Sequence, residues 1–246
     1  MVFLLLRVAP GDPVDAVLGN RASEAARAAL RAKLGLNQPL LSQYLEFIND
    51  LIHGNLGEAL VNQEPVRNII EKALPASLEL GVSALLVAAA IGIGIGFSGA
   101  AREGGKVDFV GRLYGISTYA LPPFWAAMLV QLIFAVFLGW LPVGGRFPPS
   151  LLQPEGTGFL IFDSLWSRDW EALQGTIRHL LLPTVTLGIL LSGIFSRALR
   201  LNLAQILETD HIEAARSRGI NETQVLIKHA LPNALLPVLT IAGITI

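Results

Sequence analysis

The chain has 246 residues, 52% hydrophobic and 15% charged, with a mean hydropathy of +0.56; a soluble domain normally carries about 25% charged residues on its surface. A net charge of −1 leaves no electrostatic footprint for nucleic acid. Cysteine is absent, which excludes disulfides, thiol catalysis and cysteine-ligated zinc.

In chain order, Met1 to Leu6 is apolar but too short to cross a bilayer, and it lacks the basic leader of a signal peptide. It reads as the end of a truncated first span, residues 1-6; a buried strand is the alternative. Residues 7-77 read as an external helical segment. Ser23 and Glu24 open AARAALRAKLG, with Ala and Leu at helical spacing and Gly35 as the stop. Pro39 to His53 repeats the pattern with Leu41, Tyr44, Leu45, Ile48 and Leu51. A third helix, from about Pro65 to Ala73, leads into Pro75 and the first complete span. Nothing in these helices points to chemistry.

A helix that crosses the hydrocarbon needs about 20 apolar residues, so uncharged stretches locate the spans. Leu80 to Ala101, Leu113 to Gly145 and Leu180 to Ser196 carry no formal charge, and the stretch after Lys228 stays apolar to Ile246. The membrane domain, residues 78-246, therefore holds spans at about 78-100, 113-138 and 179-199, with an incomplete one at 233-246. Cytoplasmic loops are enriched in Lys and Arg. Arg102, Lys106 and Arg112 mark one cytoplasmic loop; Arg197, Arg200, Arg216, Arg218 and Lys228 mark another. The intervening 139-177 segment, with only Arg146 and Arg168, faces outside.

Within the spans, Gly92, Gly94 and Gly96, and Gly188, Ser192 and Ser196, form small-residue stripes that read as packing faces. Pro122-Pro123 removes two backbone donors and predicts a kink. A kink frees backbone groups to line a cavity, which makes Ser117, Thr118, Tyr119 and Pro122 candidates for a translocation path. The spans carry no carboxylate at membrane depth, and Glu79 sits at a span end within reach of water. His53, His179, His211 and His229 lack the spacing of a metal site, and Gly105-Lys106 lacks the flanking residues of a phosphate-binding loop.

The loop at 200-232 is the most specific feature. Asp210 with Glu213, and Asn221 with Gln224, have capping-box spacing, and Gly219 lies where the first helix needs a residue that accepts positive φ. A short, smooth, charge-flanked helix pair suits docking into a groove of another protein; a surface loop without a partner remains the alternative. Glu213-Ala214-Ala215, then Gly219, then Leu231-Pro232 resembles the EAA loop of ABC importer permeases. The family pattern places Ile where this chain has His229, a departure that resembles the oligopeptide, dipeptide and nickel branch. RVAPGDP at Arg7 to Pro13, LGLNQPLLSQY at Leu34 to Tyr44, GNLGEAL at 54-60, LPASLELG at 74-81 and GWLPVGG at 139-145 resemble the same branch.

The resemblance implies an all-α, polytopic, type I ABC importer permease fold in a bacterial or archaeal inner membrane. It implies six spans, of which this chain would hold the end of the first, the second to fourth and part of the fifth. The implied partners are a second homologous permease, two ATP-binding subunits that use ATP and Mg, and an external solute-binding protein, all acting in a lipid bilayer. This chain would bind no cofactor and no metal and catalyse no reaction. The loop residues Glu213, Ala214, Ala215, Arg218, Gly219, His229, Leu231 and Pro232 would couple it to the ATPase. The solute implied is a peptide, with nickel, glutathione or a sugar as alternatives within the class. An intramembrane protease would need a Ser/His or paired-Asp constellation at membrane depth. A stand-alone carrier would need buried ionisable groups and no docking loop.

Overall fold

The computed structural model describes residues 3, 14, 18, 23–33, 35–59, 62, 64–102 and 104–245. The proposed first-span tail at 1-6, apart from Phe3, and the Gly11-Asp12-Pro13 turn lie outside the described residues. The chain divides into two units, Met1–Ala73 and Leu74–Ile246.

In the first unit, α1 (Glu24–Lys33) begins where Ser23 Oγ accepts the Ala26 N–H at 3.3 Å, and the chain turns at Gly35 with φ +64. A helix needs such a polar start because its first amides have no internal partner. Pro39 precedes α2 (Leu40–Ile52), as the spacing predicts. The third predicted helix is not separate. It is the first part of α3 (Val66–Ala100), which begins in this unit and continues into the second with Pro75 inside it. Pro75 forgoes one backbone bond but is buried, and its ring comes within 3.1 Å of where a Cβ on Gly158 would sit.

The second unit inverts the rule for soluble proteins. Its interior is lined with small residues such as Ala84, Ala88, Ala172, Ser192 and Ser196, while Phe109, Leu113, Ile116, Phe124, Met128, Phe137 and Leu239 face outward. Small residues bring helix backbones together where lipid, not water, surrounds the bundle. The stripes on α3 and α7 (Trp170–Leu207) mesh. A Cβ on Gly92 would stand 2.6 Å from Phe195 Cβ and 2.7 Å from Ser192 O, and one on Gly96 would stand 2.7 Å from Ser196 O. Gly188 meets Val87 in the same way, at 2.6 Å. Gly94 faces away, with nothing within 4 Å.

The stretch read as one span at 113-138 is two helices, α4 (Lys106–Ala120) and α5 (Pro123–Phe137), bent by 96° at the break. Each proline drives the residue before it out of the helical region. Leu121 (φ −82, ψ 125) and Pro122 (φ −62, ψ 127) are both extended, so two consecutive residues leave the helix and the expected kink becomes a near-right-angle break. The last part of α5, Leu132–Phe137, is a π-helix. On the other side of the break α4 lies along α7: Tyr114 Oη pairs with Ser192 Oγ at 2.5 Å, and Thr118 Oγ1 presses on Gly193.

Between α5 and α7 the chain forms α6 (Leu160–Trp166), which charge spacing does not reveal. Asp163 accepts the Thr157 and Gly158 amides at 3.0 and 2.9 Å. Glu79 is not open to water as expected: its side chain is 8% exposed, accepts Arg146 Nη2 at 2.7 Å and accepts the Ile161 amide at 2.8 Å. The cation and the amide from the 139-177 segment replace the water. Glu79 and Arg146 line a cleft of about 250 Å³ with Thr176 and His179.

Helix α7 outruns its predicted span at both ends, capped by Asp169, which accepts the Ala172 amide at 2.9 Å. After a short helix α8 (Asp210–Ser217) the chain ends in α9 (Glu222–Thr245). Among the described residues, helices α3, α7 and α9 are long and apolar enough to cross a membrane, and α4 with α5 is a fourth, broken candidate. Gly96→Val is expected to destabilise the protein by about 1–3 kcal/mol through overpacking, while Gly94→Val is neutral; thermal unfolding of the detergent-solubilised protein checks the contrast.

Candidate functional site

The 200-232 loop is built on the end of α7. Its first helix, α8, is capped by Thr209 (φ −84, ψ 152) rather than Asp210, which is its first helical residue. The expected Asp210–Glu213 capping box is therefore absent. The Thr209 side chain makes no cap either, because its hydroxyl donates to Ile206 O at 2.5 Å and pairs with His211 Nδ1 at 2.9 Å. The end of α8 is fully specified. Gly219 has φ +76 and its amide bonds Arg216 O at 2.9 Å, while the Ile220 amide bonds Ala215 O at 3.4 Å. This pair of bonds is the Schellman ending, which needs a left-handed residue at the glycine. Asn221 then starts α9, its side chain accepting the Gln224 amide at 2.9 Å as the spacing predicts.

Burial divides the helix into two faces. Ile212 is wholly buried and Ala215 is 6% exposed; both join Leu199, Leu203, Val225 and Ala230 in one apolar core. Asp210, Glu213, Ala214, Ser217, Arg218 and Gly219 are exposed. The two alanines of the Glu-Ala-Ala sequence thus lie on different faces, Ala214 outward and Ala215 in its own core. Leu231 packs against that core, His229 is half-buried and Pro232 is exposed. Pro232 cannot return an N–H to Lys228, and the helix before it widens into a π turn over Val225–Ala230.

One residue that sequence reading passes over holds these parts together. Arg216 grips Glu222 with two nitrogens, at 2.6 and 3.1 Å, and its third reaches Leu207 O at 3.3 Å. It thereby ties the end of α7, the last turn of α8 and the start of α9, and it satisfies a carbonyl left without a helical partner. The hydrogen bond to Glu222 raises Arg216 above the ordinary arginine pKa. Its position six residues before an acid in a helix–turn–helix was the available signal.

The path candidates do not form one surface. Ser117 and Tyr119 are exposed, Pro122 lies at the exposed break, and Thr118 is buried, donating to Tyr114 O at 3.0 Å and packing on Gly193.

Residues 90–246 match the model of the binding-protein-dependent transport system inner membrane component, and residues 1–81 match that of the N-terminal membrane component of such systems. The chain belongs to this family. The di/tripeptide transport system permease protein DppB of Pseudomonas aeruginosa is 35% identical over the whole of this chain and 74% of its own length. The probable D,D-dipeptide transport system permease protein DdpB of Escherichia coli is 35% identical, with 100% of this chain and 73% of the relative aligned. The oligopeptide transport system permease protein AppB of Bacillus subtilis is 34% identical across 99% of this chain and 72% of the relative. This inner membrane component is accordingly an all-α transport subunit and not an enzyme, as the Glu213 to Pro232 motif led us to expect.

Removing the Arg216 clamp should loosen the loop without unfolding the bundle. The ion pair is half-exposed and screened, worth at most about 1 kcal/mol. Arg216→Ala is expected to speed amide hydrogen exchange across 208–222 while leaving exchange in α3 unchanged, as read by mass spectrometry.

Proposed function

We propose that this permease imports di- or oligopeptides delivered by an external binding protein, and that α8 transmits the work of separate ATP-binding subunits to the spans. The observation that carries the second part is the two-faced α8. Its outward face is a smooth patch around Ala214, flanked by Glu213 and Arg218. Its inward face is fused to the end of α7 and clamped by Arg216. A partner that pushes on such a helix moves two long helices with it. The names of the relatives support a peptide as the solute. The Lys and Arg distribution supports placing 102-112 and 197-229 on the cytoplasmic side, where the ATPase works.

Glu213 and Arg218 orient the docked partner, Ala214 gives it close approach, and Ala215 and Leu231 hold the helix to the bundle. His229 and Pro232 belong to the widened start of α9. The assembly consists of this subunit, a second homologous permease, two ATP-binding subunits that use ATP and Mg, and the binding protein. Ser117 and Tyr119, next to the break at Pro122, are the side chains offered to a translocation path; Thr118 supports them from the interface with α7.

Gly219 separates two effects. A Cβ there meets nothing within 4 Å, so Ala adds only the strain of its positive φ, whereas Trp also adds bulk to the docking surface. In the full-length permease with its partners, Gly219→Ala is expected to cost about 1 kcal/mol of local stability and keep most peptide uptake. Gly219→Trp and Ala214→Trp should lose uptake by tenfold or more, about 1.4 kcal/mol of coupling. Unimpaired uptake in both tryptophan variants would sink the coupling reading. Binding of nickel, glutathione or a sugar, and not peptides, by the cognate binding protein would redirect the substrate. Purification without any ATPase would point to a stand-alone carrier.

A further inference from the structure

A buried carboxylate that the coupling reading leaves unused lies beside the same end of α7. Asp108, in the first turn of α4, is 1% exposed. Its two oxygens are treated differently. Oδ2 accepts the Gly104 amide at 3.2 Å and is gripped by Arg112, both local to α4 and the turn before it. Oδ1 has no hydrogen bond; it is ion-paired with Arg200 Nη1 of α7 at 3.7 Å, beyond hydrogen-bonding distance. A carboxylate oxygen shut away from water with an ion-pair partner but no hydrogen bond is under-satisfied, and native structures keep such groups rarely and for a reason.

The surroundings leave Arg200 room to close that distance. Gly99 of α3 lies beside the pair; a Cβ there would come within 3.6 Å of Arg200 Cδ and 3.7 Å of Asp108 Oδ1. The Arg200 side chain is 23% exposed, so one side of it is unconfined. Arg200 lies seven residues before the end of α7 at Leu207, about 10 Å along a helix axis. Leu199 and Leu203, on either side of it, share one core with Ile212 and Ala215 of α8. A displacement of α8 therefore reaches Arg200 through rigid helix and packed side chains.

We propose that Asp108 is a positioning residue of the transport cycle: Arg200 closes onto its Oδ1 when α8 is driven, so that α4, and with it the Pro122 break, moves with α7. The proposal rests on the coupling reading of α8. It assigns Arg112 and Gly104 the task of keeping the carboxylate charged and aimed while α7 moves. The pair thus stands at 3.7 Å in the structure described here and tightens to hydrogen-bonding distance in the other state of the cycle.

The test uses the full-length permease assembled with its ATP-binding subunits, reconstituted in vesicles and supplied with peptide-loaded binding protein. D108N, R200Q and the double variant are compared for retention of the ATPase on purification, ATP hydrolysis and uptake. Each single variant is expected to keep the ATPase and to go on hydrolysing ATP while uptake per ATP falls about tenfold, within the usual range of coupling between sites. The double variant should be no worse than either single one, because the two residues act through one contact. R200K, which keeps the charge, should recover part of the loss. Uptake per ATP within about twofold of the unchanged protein in R200Q, or losses that multiply in the double variant, overturns the proposal. So does loss of the ATPase from both single variants, which would mark the pair as merely structural. Where D108N alone fails to assemble, R200Q and R200K decide, since Arg200 is partly exposed. Failure of the coupling reading shows separately, as intact uptake in Ala214→Trp.

Discussion

The close approach of α3 to α7, where Gly92 and Gly96 admit the backbone at Ser192 and Ser196, is the constraint from which the rest of the bundle follows. In lipid there is no gain from hiding apolar side chains, so helices associate through packing density and buried polar contacts. Two glycines four residues apart supply the density. They also fix the rotation of α7: once its small-residue face is committed to α3, Gly193 and Ser192 are presented to Thr118 and Tyr114 of α4. Leu199 and Leu203 then continue the same side of the helix toward the loop.

Helix α7 is consequently a spine with different chemistry along its length. Near its start, Thr176 and His179 line the cleft where Glu79 and Arg146 are paired. Its middle packs through small residues, Gly188, Ser192, Gly193 and Ser196. Near its end come Arg200 and then the carbonyl of Leu207, each met by an ionic partner network from another element. Ion pairs at the ends have discrete made and unmade states. A bundle built this way is suited to switching between two arrangements instead of deforming continuously.

Much of this was legible in the sequence, and where it was not the reason is physical. The spans, the small-residue stripes, the Gly219 ending and the Asn221 cap follow from local patterns that one helix alone must obey. Asp210 looked like a cap because its spacing to Glu213 fits, yet Thr209 one residue earlier takes the extended conformation. Spacing alone does not choose between adjacent polar residues. The Pro122-Pro123 pair announced a bend but not its size, which depends on both Leu121 and Pro122 leaving the helical region. Arg216 and Arg146 read only as loop charges because their partners come from other elements, and the burial of Asp108, which pairs locally with Arg112, depends on the helices around it. The different facing of Ala214 and Ala215 depends on how α8 lies against α7, which neither alanine records.

The division of labour along α8 bears on why such a loop carries two alanines in a row. On the proposed coupling role, α8 binds a partner on one side and the bundle on the other, with few turns in which to do both. A large residue at either position would raise the helix from one surface: at Ala215 it would lift α8 off Leu203 and Val225, and at Ala214 it would hold a partner away. Adjacent positions on a helix differ by about 100°, so a consecutive small pair trims both contacts within a single turn. The Schellman ending at Gly219 then stops the helix before it can grow past that turn. Arg216, with a long side chain between the two faces, supplies the fixation that two alanines cannot. A force applied to the outward face is therefore met by covalent continuity with α7 on one side and by a two-nitrogen grip on α9 on the other, and the helix moves as part of the bundle.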